Sequence, residues 1–238
     1  MLKLIVMMII IQCFANAYMQ TELINPNNRF GNQMNKFERS PLSNFGSKIT
    51  LMRHANTFNN INQIWTGQLD IPIVNSNQDK IFMSDYDLVL CSSAIRCRQT
   101  LDLMEFSNRP KIIFDDSLLE AGYGEFTGTI KTDSYKRNFF NKPPESKYYI
   151  SESIFEAGFR SYMGFSMLSD PYLYENSEIL ILSHRNTLKG LWTFLNLDNI
   201  LTFENEEEID NIERNIMGVL EKSNPPEFEN LVKYHINL

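Results

Sequence analysis

The chain has 238 residues, 43% of them hydrophobic and 12% aromatic, which is material for one large core and too little length for two ordinary enzyme domains. A formal charge of −7 and a pI near 5.1 argue against nucleic acid as partner, because phosphate backbones call for a basic face. Any anionic ligand must therefore be held by local arginines. The three cysteines, Cys13, Cys91 and Cys97, make neither a disulfide framework nor a zinc spacing, so no metal site is expected.

The chain begins with one early lysine, Lys3, an apolar run from Leu4 to Ile11, and Ala15-Asn16-Ala17. That is the layout of a cleavable secretory signal over residues 1–17, too short to span a bilayer. The expectation is a secreted or secretory-pathway protein with no stable membrane insertion after cleavage; retention of the segment would place it in the cytoplasm. Residues 18–46 are rich in Asn and Gln and lack helical or strand periodicity, and read as an extension. Residues 47–238 form the expected catalytic domain.

From Lys48 onward, strand-like and helical patterns alternate. Lys48–Met52, Tyr86–Cys91, Lys111–Phe114 and Glu178–Leu182 are predicted strands, with a weaker one at Ile216–Leu220. Alternation of this kind predicts an α/β three-layer sandwich, a largely parallel central sheet with helices on both faces. Ligands of such folds gather beyond the carboxyl ends of the strands. Arg53, His54, Ser92 and His184 all fall there. The chain has three histidines, and two of them close predicted strands.

After the second strand, Ser92 or Ser93 can cap a helix whose buried stripe is Ala94, Cys97, Leu101 and Met104. A helix N-terminus at a strand's carboxyl end attracts anions, and an arginine in its first turn adds a two-pronged donor. Spacing does not choose between Arg96 and Arg98. After His184, Asn186 or Thr187 can cap a second helix with apolar positions Leu188, Leu191, Trp192 and Leu195.

Five motifs now stand in order: Arg53-His54-Ala55-x-Thr57-x-x-Asn60, Thr66-Gly67-x-x-Asp70-x-Pro72, Ser92-x-x-x-Arg96-x-x-Gln99-Thr100, Leu118-x-Glu120-x-x-Tyr123-Gly124-x-x-x-Gly128 and Ser183-His184-x-Asn186-x-Leu188. Over about residues 48–195 the chain resembles the histidine phosphatase superfamily, phosphoglycerate mutase-like branch. The resemblance implies that His54 is the nucleophile, that Arg53, Arg96 and His184 hold the phosphoryl group, and that Glu120 protonates the leaving oxygen. A neutral imidazole is a competent nucleophile near neutral pH, and the phosphoryl oxygens need clustered donors. Glu120 must be protonated to donate, a state that an adjacent anionic phosphate favours.

By the same resemblance Thr57, Asn60, Thr66, Gly67, Tyr123, Lys131 and Asn186 match positions that hold substrate in the mutases. Three residues depart from the family pattern. Ala55 and Arg185 replace the glycines after the two histidines, and Lys189 stands where the mutases carry arginine. Arg185 either adds a substrate-binding charge or crowds the pocket. A positive φ there would strain a non-glycine residue.

Hydrolysis of a small phosphorylated metabolite, with no cofactor required, is the preferred expectation. The stretch from Gly128 to Pro143 is shorter than the mutase insertion that shields the phosphohistidine from water, and it offers Lys136-Arg137 in place of a clear arginine pair. The alternatives are a mutase primed by 2,3-bisphosphoglycerate and an inactive module that binds phosphorylated ligands.

Overall fold

The computed structural model of the chain describes residues 47–74, 80–131, 152, 154–173, 176–196 and 224–237. The expected signal segment, the Asn/Gln-rich extension, the weak strand at Ile216–Leu220 and Lys136-Arg137 lie outside these residues. In chain order the elements are β1 (Lys48–Arg53), a single-turn α1 (Phe58–Ile61), β2 (Ile81–Met83), β3 (Leu88–Ser92), α2 (Ile95–Asp102), β4 (Met104–Phe106) and β5 (Lys111–Asp115). Then come two short 3-10 turns (Asp116–Leu118 and Gly124–Phe126), α3 (Ile154–Leu173), β6 (Glu178–Ser183), α4 (Arg185–Leu195) and β7 (Lys233–Asn237).

The four main predicted strands are all present, with ends shifted by one or two residues, and they run parallel in the sheet order β5-β3-β6-β1-β7. β7 was not anticipated. It pairs antiparallel with β1 at the sheet edge, and its Lys-Tyr-His-Ile-Asn sequence lacks the apolar continuity that reveals a doubly covered strand. β2 and β4, three residues each, form a separate parallel pair and are too short to show a period.

Every residue of β3 is buried, and so is nearly every residue of β1 and β6, as a sheet covered on both faces requires. Side chains alternate between two cores. Ile49, Leu51, Leu88, Leu90, Ile179 and Ile181 face one cluster with Phe165 of α3 and Leu188 and Leu191 of α4. Met52, Val89, Cys91, Leu180 and Leu182 face the other, with Cys97 and Leu101 of α2 and Met83 and Met104 of the small sheet. Cys91 and Cys97 are therefore core residues, as their positions predict.

Register decides what meets at the sheet's carboxyl edge. Met52 lies beside Leu182, which lies beside Cys91. The next residues along, Arg53, Ser183 and Ser92, are thus level on three neighbouring strands about 5 Å apart. His54 and His184 follow one residue later, and the amide of His54 donates to the carbonyl of Ser183 at 3.1 Å.

α3 and α4 touch through paired glycines. A Cβ on Gly190 would stand 2.3 Å from the carbonyl oxygen of Ile154 and 2.5 Å from Cα of Gly158, closer than packed atoms approach. Gly190→Ala must push the helices apart and is expected to destabilise the fold by about 2–3 kcal/mol. Urea unfolding monitored by far-ultraviolet dichroism measures this; an unchanged midpoint would mean that the two helices are not held at this separation.

Candidate active site

A cavity of about 440 Å³ opens at the carboxyl edge of the sheet, lined by Arg53, His54, Arg96, Glu120, Tyr123 and Arg185 among others. His54 is buried at its base. Its Nδ1 lies 2.6 Å from the carbonyl oxygen of its neighbour Ala55. A carbonyl only accepts, so Nδ1 carries the proton and Nε2 keeps the lone pair. Burial first, then the charges of Arg96 and Arg53, holds the His54 pKa well below the ordinary histidine value. The ring stays neutral across the physiological range.

Arg96, fully buried on α2, is fixed by three partners. Nη1 donates to the carbonyl of Leu69 at 2.7 Å, Nη2 to that of Gly67 at 2.9 Å, and Nε to Nδ1 of His184 at 3.1 Å. One hydrogen on each terminal nitrogen remains for a ligand. Arg98 faces outward, donating to the carbonyl of Ser93 and stacking on Phe114. The choice that spacing left open falls to Arg96.

Arg53 is anchored more loosely. Its Nη1 makes one long contact of 3.5 Å to the carbonyl of Phe228, and its buried Nε has no hydrogen-bond partner. Burial foremost, with the charge of Arg185 next, lowers its pKa to about 10. A buried guanidinium with open donors is a built anion site.

His184 stands beside His54 and Arg96. Its ring centroid is 5.1 Å from that of His54, yet it does not line the cavity. Because Arg96 always donates, Nδ1 of His184 is an acceptor; Nε2 then carries the proton and donates to Oγ of Ser92 at 2.9 Å. In this arrangement both ring nitrogens are engaged, and His184 orients Arg96.

Both predicted helix caps are replaced by carboxylates from other loops. α2 has Ala94 at its N-cap with no side-chain bond. Asp70 accepts from the amide of Ile95 at 2.7 Å instead, while Ser92 turns to His184 and Ser93 to Asp116. α4 starts two or three residues earlier than a cap at Asn186 or Thr187 allows, with His184 as N-cap. Asn186 donates to the Tyr123 hydroxyl at 2.7 Å and Thr187 to the carbonyl of Leu119 at 2.8 Å. Oε1 of Glu120 takes the amides of Ala121 (3.0 Å) and Thr187 (3.3 Å). Arg185 sits in the first helical turn and is not among the positive-φ residues, so the feared backbone strain does not arise.

Asn60, Thr66, Tyr123, Lys131 and Asn186 line the cavity as expected, with the Thr66 hydroxyl buried and unpartnered. Thr57 and Gly67 do not line it. Thr57 forms a capping box with Asn60, and Gly67, at φ +52°, serves through the carbonyl that holds Arg96.

Several site residues had no signal in the motifs. Asn230 donates to the carbonyl of His54, and Leu231 to that of Arg53 at 3.1 Å. Glu227 and Lys189 pair at 2.7 Å on the cavity wall. Arg160 grips Glu152 with two bonds of 2.7 and 2.8 Å and also donates to the carbonyls of Ser117 and Leu119, bracing the loop that carries Glu120. Apart from the local Arg160–Glu152 pair, these partners lie 38 to 178 residues from the groups they bind. Among the described residues no group of three or more His, Cys, Asp or Glu side chains is placed to hold a metal ion, and no helix is long and apolar enough to cross a membrane.

The family model of the histidine phosphatase superfamily (branch 1) matches residues 49–223. The chain belongs to this superfamily. Its members are phosphatases and phosphotransferases, and this chain is such an enzyme. No curated protein sequence matches it significantly. Among solved structures it is similar to a mycobacterial glucosyl-3-phosphoglycerate phosphatase crystallised with VO3, at 13% identity and TM-score 0.54, covering 79% of this chain and 92% of that one. A second likeness, titled Mycobacterial hydrolase 2, has 13% identity and TM-score 0.51, covering 79% and 81%. At such identities the likeness bears on the fold, and it agrees with the parallel sheet and flanking helices of this histidine phosphatase.

Burial of two neutral histidines has a consequence for stability. His54 and His184 both have pKa values well below 6.5, burial being the first cause in each. Above about pH 6.5 neither folded nor unfolded chain holds the extra proton; below it the unfolded chain binds more. Stability should therefore fall as pH drops from 6.5 toward 5, by up to about 1.4 kcal/mol per histidine per pH unit. Urea midpoints across that range check the slope, and His184→Asn should make it shallower. A flat profile would show that the rings are not held neutral.

Proposed function

We propose that this histidine phosphatase hydrolyses a small phosphomonoester through a phosphohistidine on His54. The observation that carries the reading is the hydrogen bond from Nδ1 of His54 to the Ala55 carbonyl, which leaves the lone pair on Nε2 of a residue that lines a cavity together with arginines. In the first step Nε2 attacks phosphorus, the ester P–O bond breaks, and Glu120 gives its proton to the departing alkoxide. Water then attacks the phosphohistidine and returns a proton to Glu120. The P–N bond breaks and inorganic phosphate leaves. Arg53 and the two remaining N–H groups of Arg96 take the charge that spreads over the equatorial oxygens. Asn230 and Ala55 hold His54 from either side of its backbone and ring.

Acid-labile labelling from a radiolabelled phosphomonoester should appear on the wild type and vanish in His54→Ala. Arg96→Ala should reduce kcat/KM by about a hundredfold or more, as loss of a preorganised donor does, and Arg98→Ala by less than about threefold. Labelling that survives His54→Ala and is lost in His184→Ala would reverse the two histidines.

Isomerisation shares this intermediate and differs only in which acceptor collects the phosphoryl group. Tyr123, Lys131 and Asn186 on the cavity wall favour retention of phosphoglycerate; the short sequence between Gly128 and Pro143 favours water, and we place hydrolysis first. Incubation with 3-phosphoglycerate should release inorganic phosphate with little 2-phosphoglycerate, even after priming with 2,3-bisphosphoglycerate. Fast primer-dependent isomerisation without phosphate release would make the enzyme a mutase.

A further inference from the structure

The cavity holds more positive charge than one phosphoryl group can balance. Arg53, Arg96, Lys131, Arg185 and Lys189 line it against two carboxylates, Glu120 and Glu227. A phosphomonoester brings at most two negative charges, so at least one cation stays uncompensated, and another does so when Glu120 is protonated. This occurs in a chain whose overall charge is −7, so the excess is local.

Setting aside Lys189 and the two arginines beside His54 leaves Lys131 and Arg185, and of the two it is Arg185 that has a buried donor without a hydrogen-bond partner. Lys189 is paired with Glu227 at 2.7 Å, and Lys131 lies over the Trp65 ring at 5.0 Å. Arg53 and Arg96 are the cations felt by His54, where the phosphoryl group is transferred. Arg185 lines the same cavity from the first turn of α4, one residue after His184. Its Nε is buried with no hydrogen-bond partner. A guanidinium held there has the planar fork suited to a carboxylate or a phosphate.

We propose that Arg185 binds a second anionic group of the substrate, so that the preferred substrate is a phosphomonoester bearing another carboxylate or phosphate a few bonds from the transferred phosphoryl. Recognition of that group then relieves the repulsion between Arg185 and Arg53 and satisfies the buried Nε in one contact. The inference rests on the phosphatase reading for its meaning, though binding can be measured without turnover.

The test is calorimetric binding of three phosphonates of one backbone length: propylphosphonate, 3-phosphonopropanoate and propane-1,3-bisphosphonate. Wild-type enzyme should bind one or both of the doubly functional ligands at least about tenfold more tightly than propylphosphonate, the gain of one charge-assisted contact. Which of the two benefits more separates carboxylate from phosphate. In Arg185→Gly, and in Arg185→Gln as a variant of similar length, the preference should fall below about threefold. Equal affinity of the wild type for all three ligands overturns the proposal. So does an equal loss for all three in the variants, which would put Arg185 on the transferred phosphoryl itself. Hydrolysis of p-nitrophenyl phosphate by the wild type, run in parallel, reports separately on the phosphatase reading.

Discussion

The guanidinium of Arg96 is the joint on which the site depends. It is fully buried, so each N–H without a partner would cost on the order of 1–3 kcal/mol or more, and that constraint brings three distant segments together. Gly67 and Leu69 turn their carbonyls to it, His184 turns its Nδ1 to it, and α2 delivers it from the end of β3. Fixing Arg96 in this way settles the His184 tautomer, which in turn explains why Ser92 faces inward and leaves the cap of α2 to Asp70. One buried charge thus ties together groups from three of the five sequence motifs.

The same logic runs through Glu120. Its carboxylate closes the N-terminus of α4 through the Thr187 amide, where the helix dipole favours negative charge, and the residue also lines the cavity. The residue proposed as proton donor is also a structural cap. The loop carrying it is clamped from outside by Arg160 and Glu152, a bidentate pair that satisfies backbone carbonyls an irregular loop could not satisfy alone. Catalytic geometry here comes from hydrogen-bond satisfaction of buried loops as much as from the regular elements.

Electrostatically, the enzyme holds a positive well inside an acidic molecule. Burial keeps both histidines neutral and weakens the hold of Arg53 on its proton, and the site gathers positive charge and unpartnered donors that a bound anion would satisfy. The cations are concentrated in this cavity, where the proposed phosphorylated substrate would meet them.

Fold class was legible from alternating periodicities alone, because doubly covered parallel strands must be apolar throughout and their helices must be striped; Leu88 to Ser92 and Glu178 to Ser183 show this most plainly. The histidines and Arg53 could be placed at the carboxyl edge because a strand's end is written in its own residues. Edge strand β7, at the sheet margin, carries no such pattern. The caps also went astray, since Ser92, Ser93, Asn186 and Thr187 are good local caps and remote partners claimed each of them. Arg96 over Arg98, the orienting role of His184, the wall formed by Glu227 and Lys189, and the pinning of His54 by Asn230 all depend on contacts across tens to hundreds of residues. Local sequence encodes periodicity and the chemical type of each side chain, whereas the partner of a buried polar group is set by which unsatisfied group the packed chain brings within hydrogen-bond reach.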